Sequence, residues 1–131
     1  MFVDASALVA IIGEEDDGQA LAERFERIER SYTSALAIYE ATLALARVGR
    51  MSLTTVSTLL DDFITRSRIE IVPITAEIGS IAIDAFAGFG RGNHPARLNM
   101  GDCFAYACAR SLGVPLLCKG GDFSQTDIVL A

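Results

Sequence analysis

Two stretches of this chain are long enough for more than three helical turns, nearly free of charge, and marked by a single acid each. Ala35 to Val48 carries Leu36, Ala37, Ile38, Tyr39, Ala41, Leu43, Ala44, Leu45 and Ala46, with Glu40 as its one carboxylate. Leu98 to Arg110 opens on Asp102 and then runs through Phe104, Ala105, Tyr106, Ala107, Cys108 and Ala109 without a charge. A helix that is apolar nearly all round has to be buried, so the chain must supply a layer for these two to lie on. The positions next to Asp102 at helical spacing are Leu98, Asn99, Ala105, Tyr106 and Ala109, and none can neutralise it. An unpaired carboxylate in apolar surroundings is costly unless something compensates it. For Asp102 the helix dipole is one alternative, worth about 0.3–1 kcal/mol; for Glu40 it is an ion pair with Arg47 two turns on.

The rest of the sequence alternates short apolar runs with amphipathic ones. Strands are expected at Met1–Val3, Ser31–Thr33, Ile69–Ile74 and Pro115–Cys118, with a further short one at Ile128–Leu130. Helices are expected at Ala7–Ile12, Gln19–Arg30, Leu53–Arg66 and Ala76–Phe89 besides the two above. Ser6, Ser34, Ser52 and Thr75 stand at their starts, where side-chain oxygens satisfy the first free amides. Leu21, Phe25 and Ile28 on the second helix, and Val56, Leu59, Leu60, Phe63 and Ile64 on the fourth, are assigned to the core. Strands alternating with helices imply a parallel sheet covered on both faces. The expected fold is therefore a single α/β domain over residues 1–131, a three-layer α/β/α sandwich around a parallel sheet of four to five strands.

Hydrophobic residues make up 51% of the 131 positions, and the mean hydropathy of +0.37 is high for a soluble chain. No uncharged run approaches the ~20 residues of a membrane span, so the excess implies a dense core and an apolar surface for another subunit, a homodimer being the simplest case. An acid at position 4 argues against a signal peptide. Three cysteines without zinc-ligand spacing (Cys103, Cys108 and Cys118) read as reduced core residues of a cytoplasmic protein. The net charge of −6 argues against a passive nucleic-acid binder. It does not exclude an enzyme whose acids are neutralised by metal ions.

Most acids fall in charged turns such as Glu14–Asp17 or along polar stripes, where solvent explains them. Four do not: Asp4 just after the first strand, Glu40, Asp102, and Asp122 just after the fourth strand. In open α/β sheets ligands bind beyond the carboxyl ends of strands. Four convergent carboxylates with no matching cations suit a hard divalent ion such as Mg²⁺ or Mn²⁺. Arg91, His94, Arg97 and Lys119 are the basic groups nearest that predicted crevice. One histidine, in a loop, makes a Ser-His-Asp triad or a histidine-rich zinc site improbable. The glycines around residue 90 match neither a P-loop nor a dinucleotide fingerprint.

Asp4-Ala5-Ser6-Ala7-Leu8, Glu40, Leu98-Asn99-Met100-Gly101-Asp102-Cys103 and Lys119-Gly120-Gly121-Asp122-Phe123-Ser124-Gln125-Thr126-Asp127 together resemble the PIN domain, and more narrowly the VapC-type toxins of bacterial toxin–antitoxin pairs. The resemblance spans essentially the whole chain. It implies a Mg²⁺- or Mn²⁺-dependent ribonuclease that cuts single-stranded segments of structured RNA, leaving 5′-phosphates, with a VapB-type antitoxin as partner and a homodimeric state. Asp4, Glu40, Asp102 and Asp122 occupy the four acidic positions, with Asp4, Asp102 and Asp122 as the metal ligands. Ser6, Asn99, Thr126 and Asp127 are expected to support them from behind. Leu21 and Phe25 are candidates for the antitoxin groove. The competing reading is a catalytically silent interaction module whose acids receive a partner's arginines.

Overall fold

Phe2 and Val3 are both fully buried, yet each enters a different core, because successive strand residues point to opposite faces of a sheet. The same split divides Leu116 from Leu117. The computed structural model describes residues 1–131. In chain order the elements are β1 (Phe2–Val3), α1 (Ala5–Ile12), α2 (Gly18–Glu26), β2 (Tyr32–Ser34), α3 (Ala35–Gly49), α4 (Leu53–Arg66), β3 (Glu70–Val72), α5 (Ala76–Phe89), α6 (Met100–Leu112) and β4 (Leu116–Leu117). A 3₁₀ turn at Phe123–Gln125 follows.

The four strands form one parallel sheet in the order β3-β2-β1-β4. Phe2 lies opposite Tyr32 on one side and Leu116 on the other. One face packs on α5 and α6 through Ile78, Ala82, Ala85, Ala105 and Cys108. The other packs on α1 to α4 through Leu8, Leu21, Leu45, Val56 and Leu60. This is the three-layer α/β/α sandwich the alternation implies. The expected fifth strand is reduced to one parallel bridge, Leu116 to Leu130.

Local departures from the expected boundaries have physical causes. Helix α1 begins two residues early, because the Asp4 carboxylate, not Ser6, accepts the Ser6 amide and caps it. Ser34 both ends β2 and caps α3 by accepting the Ala37 amide. Helix α2 stops at Glu26, which leaves Ile28 exposed instead of buried. Leu59 on α4 is also exposed. Helix α3 is not covered on every side: Tyr39 and Val48 keep 60% and 67% of their surface. An outer-layer helix has only one face on the sheet, so an apolar outer face stays uncovered in a single copy. Leu21 belongs to the core and is not free for a groove, whereas Phe25 is half-buried with its ring 6.1 Å from that of Phe63.

Leu60 is fully buried in the α1–α4 core. Leu60→Ala should lower stability by about 2–5 kcal/mol, read as a lower urea midpoint with an unchanged slope.

Candidate active site

Strand β1 leads through helices on one face to β2 and β3 on its one side, whereas β4 arrives on its other side after α5 and α6. The chain therefore reverses direction across the sheet between β1 and β4, and that is where an open parallel sheet leaves a crevice beyond its carboxyl ends. Asp4 stands at this point. Its backbone amide donates to Leu117 O at 3.0 Å, which ties the end of β1 to the end of β4.

Each acid enters the crevice from a helix start or a helix face. The Asp4 side chain is buried and accepts from the Ser6 amide at 3.0 Å and from the Ser6 hydroxyl at 2.5 Å. Ser6 Oγ in turn accepts the Lys119 amide at 3.0 Å, so the loop after β4 is fastened to Asp4 through one hydroxyl. Asp102 is the third residue of α6 and forms a reciprocal box with Asn99. Its amide donates to Asn99 Oδ1 at 3.1 Å, and its Oδ2 accepts the Asn99 amide at 2.8 Å. Oδ1 of Asp102 has no protein partner. Glu40 comes from the middle of α3 and is half-buried. Asp4, Ser6, Glu40, Asn99 and Asp102 all line one open cleft of about 280 Å³, together with Glu15 and Lys119.

The electrostatics follow from that grouping. Burial pushes the Asp4 carboxyl above its usual range, against the hydrogen bonds from Ser6. Glu40 is raised by burial and then by the charges of Asp4 and Asp102. Asp102 is pushed up to about 6 by burial, with Asp4 and Asp122 adding to the rise and the Asn99 amide and Arg91 opposing it. None of the chain's ion pairs involves these acids. Cys118 feels the same field, and its thiol is driven up to about 12 by burial and by Asp4, Asp102 and Asp122.

The other sequence candidates divide. Asp122 is exposed and does not line the cleft, though its charge reaches Asp102 and Cys118. Asp127 does not support the acids: it accepts from the Tyr106 hydroxyl at 2.6 Å, pairs with Arg110 at 2.8 Å, and lines a separate cavity. The resemblance makes Asp127 a companion acid of the site, but the turn at Phe123–Gln125 leads it to Tyr106 and Arg110 instead. The Thr126 hydroxyl is likewise spent inside that turn, donating to Phe123 O at 2.8 Å. Arg91 and Arg97 are exposed on the loop after α5, which the Gly90–Leu98 bridge closes. His94 staples the same loop from within: its Nδ1 accepts the Ala96 amide at 3.2 Å, and its ring meets Phe89 edge-on. Lys119 is not a free cation, since its ammonium lies 2.8 Å from Glu15 and 3.6 Å from Asp17. Glu15 was missed as a cleft residue because its neighbours in sequence are all solvated acids and only the fold brings it to Lys119.

As they stand, no three acid, histidine or cysteine side chains close on one point tightly enough to grip an ion. The donor set nevertheless fits a hard divalent cation. It is all carboxylate oxygen, buried at Asp4 and half-buried at Glu40 and Asp102, uncompensated by any ion pair and mutually repelling. Mg²⁺ in particular keeps several waters and needs only one or two protein carboxylates.

A carboxyl whose folded pKa lies above its unfolded value contributes stability that is complete below the unfolded pKa and is lost as pH rises through the folded one. For Asp102 that loss runs from about 4 to about 6. With EDTA present, the melting temperature should therefore fall as pH is raised through this window, and Asp102→Asn should flatten the fall in a scanning-fluorimetry pH series.

The PIN domain family model matches residues 1–129. The chain is 41% identical over 130 residues to ribonuclease VapC42 of Mycobacterium tuberculosis and to a VapC ribonuclease of Mycobacterium bovis, covering 98% of this chain and 96% of each relative. It is 38% identical to a VapC ribonuclease of Rhizobium meliloti, over 97% of this chain and 98% of the other. The crystal structure of Mycobacterium tuberculosis VapC20, a toxin that cleaves the sarcin–ricin loop, superposes with a TM-score of 0.76 at 19% identity over 99% and 97% of the two chains. That similarity shows the shared fold. By sequence over nearly its full length, the chain belongs to the PIN-domain family and, within it, to the VapC ribonucleases.

Proposed function

We propose that the protein is a divalent-metal-dependent endoribonuclease toxin that hydrolyses phosphodiester bonds in single-stranded regions of structured RNA. The observation that carries this reading is the grouping of Asp4, Glu40 and Asp102 in one open cleft, with none of the three in an ion pair. Asp4 and Asp102 would hold the ion, with Asp122 joining from the lip. A bound Mg²⁺ or Mn²⁺ supplies charge stabilisation at the phosphate and lowers the pKa of an attacking water.

The chain's own groups do the remaining work. Glu40, its carboxyl raised by burial and then by the charges of Asp4 and Asp102, is the base that accepts a proton from the attacking water. Ser6 fixes the Asp4 carboxylate, and Asn99 fixes that of Asp102, so neither has to reorganise when substrate arrives. Arg91, whose charge reaches Asp102, and Arg97 are exposed on the loop that leads into α6 and suit substrate phosphates. In-line attack leaves a 5′-phosphate and a 3′-hydroxyl.

The partners follow from the apolar surfaces. A VapB-type antitoxin fits the cavity between α1, α3 and α4, lined by Ile12, Leu45, Val48, Met51, Val56 and Leu59. A homodimer would cover the exposed Ile83, Phe86 and Met100. Three unpaired thiols suit a reducing compartment, the cytoplasm.

Asp4→Asn and Asp102→Asn are the informative variants, because asparagine keeps a cap acceptor while removing the charge. Loss of a metal ligand should exceed the 10–100-fold cost typical of its supporting residues. Each variant should cut a labelled single-stranded RNA with Mn²⁺ more than about 100-fold slower, with 5′-phosphate ends in the residual product. Wild-type rates in either variant, or cleavage undiminished by EDTA, would overturn the reading.

A further inference from the structure

Gly101 is buried in the first turn of α6, between Asn99 and Asp102. Its backbone is ordinary helix, not the left-handed region, so conformation gives no reason for a glycine there. Glycine is also, proline apart, the poorest helix former. The reason is space. A Cβ built on Gly101 would overlap both carboxylate oxygens and the Cδ of Glu40. The Glu40 carboxylate thus lies directly on the α6 backbone, one residue from Asp102, at a helix start that favours negative charge.

We propose that Gly101 is a positioning residue for catalysis: its missing side chain is the socket that lets Glu40 reach the cleft beside Asp4 and Asp102. This deepens the reading above and rests on it. Asn99 sets Asp102 through the reciprocal box, and Gly101 sets Glu40 through close approach. The segment Asn99–Asp102 therefore fixes two carboxylates, one of which belongs to a different helix. Because the clash is with the far end of a flexible side chain, alanine at 101 displaces Glu40 and leaves α6 in place.

The test is a double-variant cycle with Gly101→Ala, Glu40→Ala and the pair, read in two ways. In RNA cleavage with Mn²⁺, Gly101→Ala should be at least about ten-fold slower than wild type, a cost typical of residues that support a site. It should add no further loss in the Glu40→Ala background. In metal-free thermal unfolding with EDTA, Gly101→Ala should raise the melting temperature more in the Glu40→Ala background than with Glu40 present, since removing Glu40 removes the overlap and leaves the gain in helix propensity. A Gly101→Ala protein that cleaves at the wild-type rate while Glu40→Ala is impaired would overturn the socket and leave the function standing. Equal melting shifts in both backgrounds, destabilising or not, would also overturn it, because the methyl would then be meeting something other than Glu40. A Glu40→Ala protein with undiminished cleavage would instead sink the assignment of Glu40 itself.

Discussion

Like charges crowded into a partly buried cleft repel one another, and the structure has to hold three of them at the seam between β1 and β4. The means is backbone hydrogen bonding. Asp4 serves as the cap of α1, and Asp102 as the reciprocal partner of the α6 cap, so each carboxylate is stabilised by amides that a helix start leaves free in any case. Glu40 has no such amide of its own and depends on packing against α6. The repulsion is thus distributed: two acids are locked by the helices they begin, and the third is held by a neighbouring helix. The site and the ends of two helices are one construction, which is why burial raises all three carboxyls together.

A chain with a net charge of −6 that acts on a polyanion has to separate its charges by place. The acids of the Glu14–Asp17 turn are answered in part by Lys119, which closes against Glu15 and Asp17. Arg91 and Arg97, the arginines proposed to meet phosphate, sit on the loop that links the two α-helices of the opposite layer. That loop is short-circuited by the Gly90–Leu98 bridge and anchored by the buried Ala96 and Leu98. Its backbone is therefore held from within even though Arg91 and Arg97 are exposed.

Much of this arrangement was legible in the residues. The period-2 and period-3.6 runs gave the sandwich and α5 to the residue. The isolation of Glu40 and Asp102 among apolar neighbours pointed to the cleft, because a lone carboxylate in a greasy helix needs an external reason. What local pattern could not carry was anything set by long-range geometry. Asp127 looked like a companion of Asp122, yet a three-residue turn sends it to Arg110 and Tyr106. Glu15 looked solvated because its sequence neighbours are. Ser6 looked like a cap because serine often is one, but Asp4 lies two residues earlier and does the same job. Helix α3 looked wholly buried because periodicity reports greasiness and not how many layers exist to cover it.

The bridge from Leu116 to Leu130 has a consequence for the sheet as a whole. The Val129 carbonyl takes the Leu116 amide at 2.8 Å, and the Ala131 amide returns to the Leu116 carbonyl at 2.9 Å, so the outer rim of β4 has its backbone groups occupied. The opposite rim, β3, offers three residues and stops at Pro73, which has no amide hydrogen to give. The β4 rim therefore provides no template along which a second chain could continue the ladder, and the β3 rim provides only the exposed Ile71.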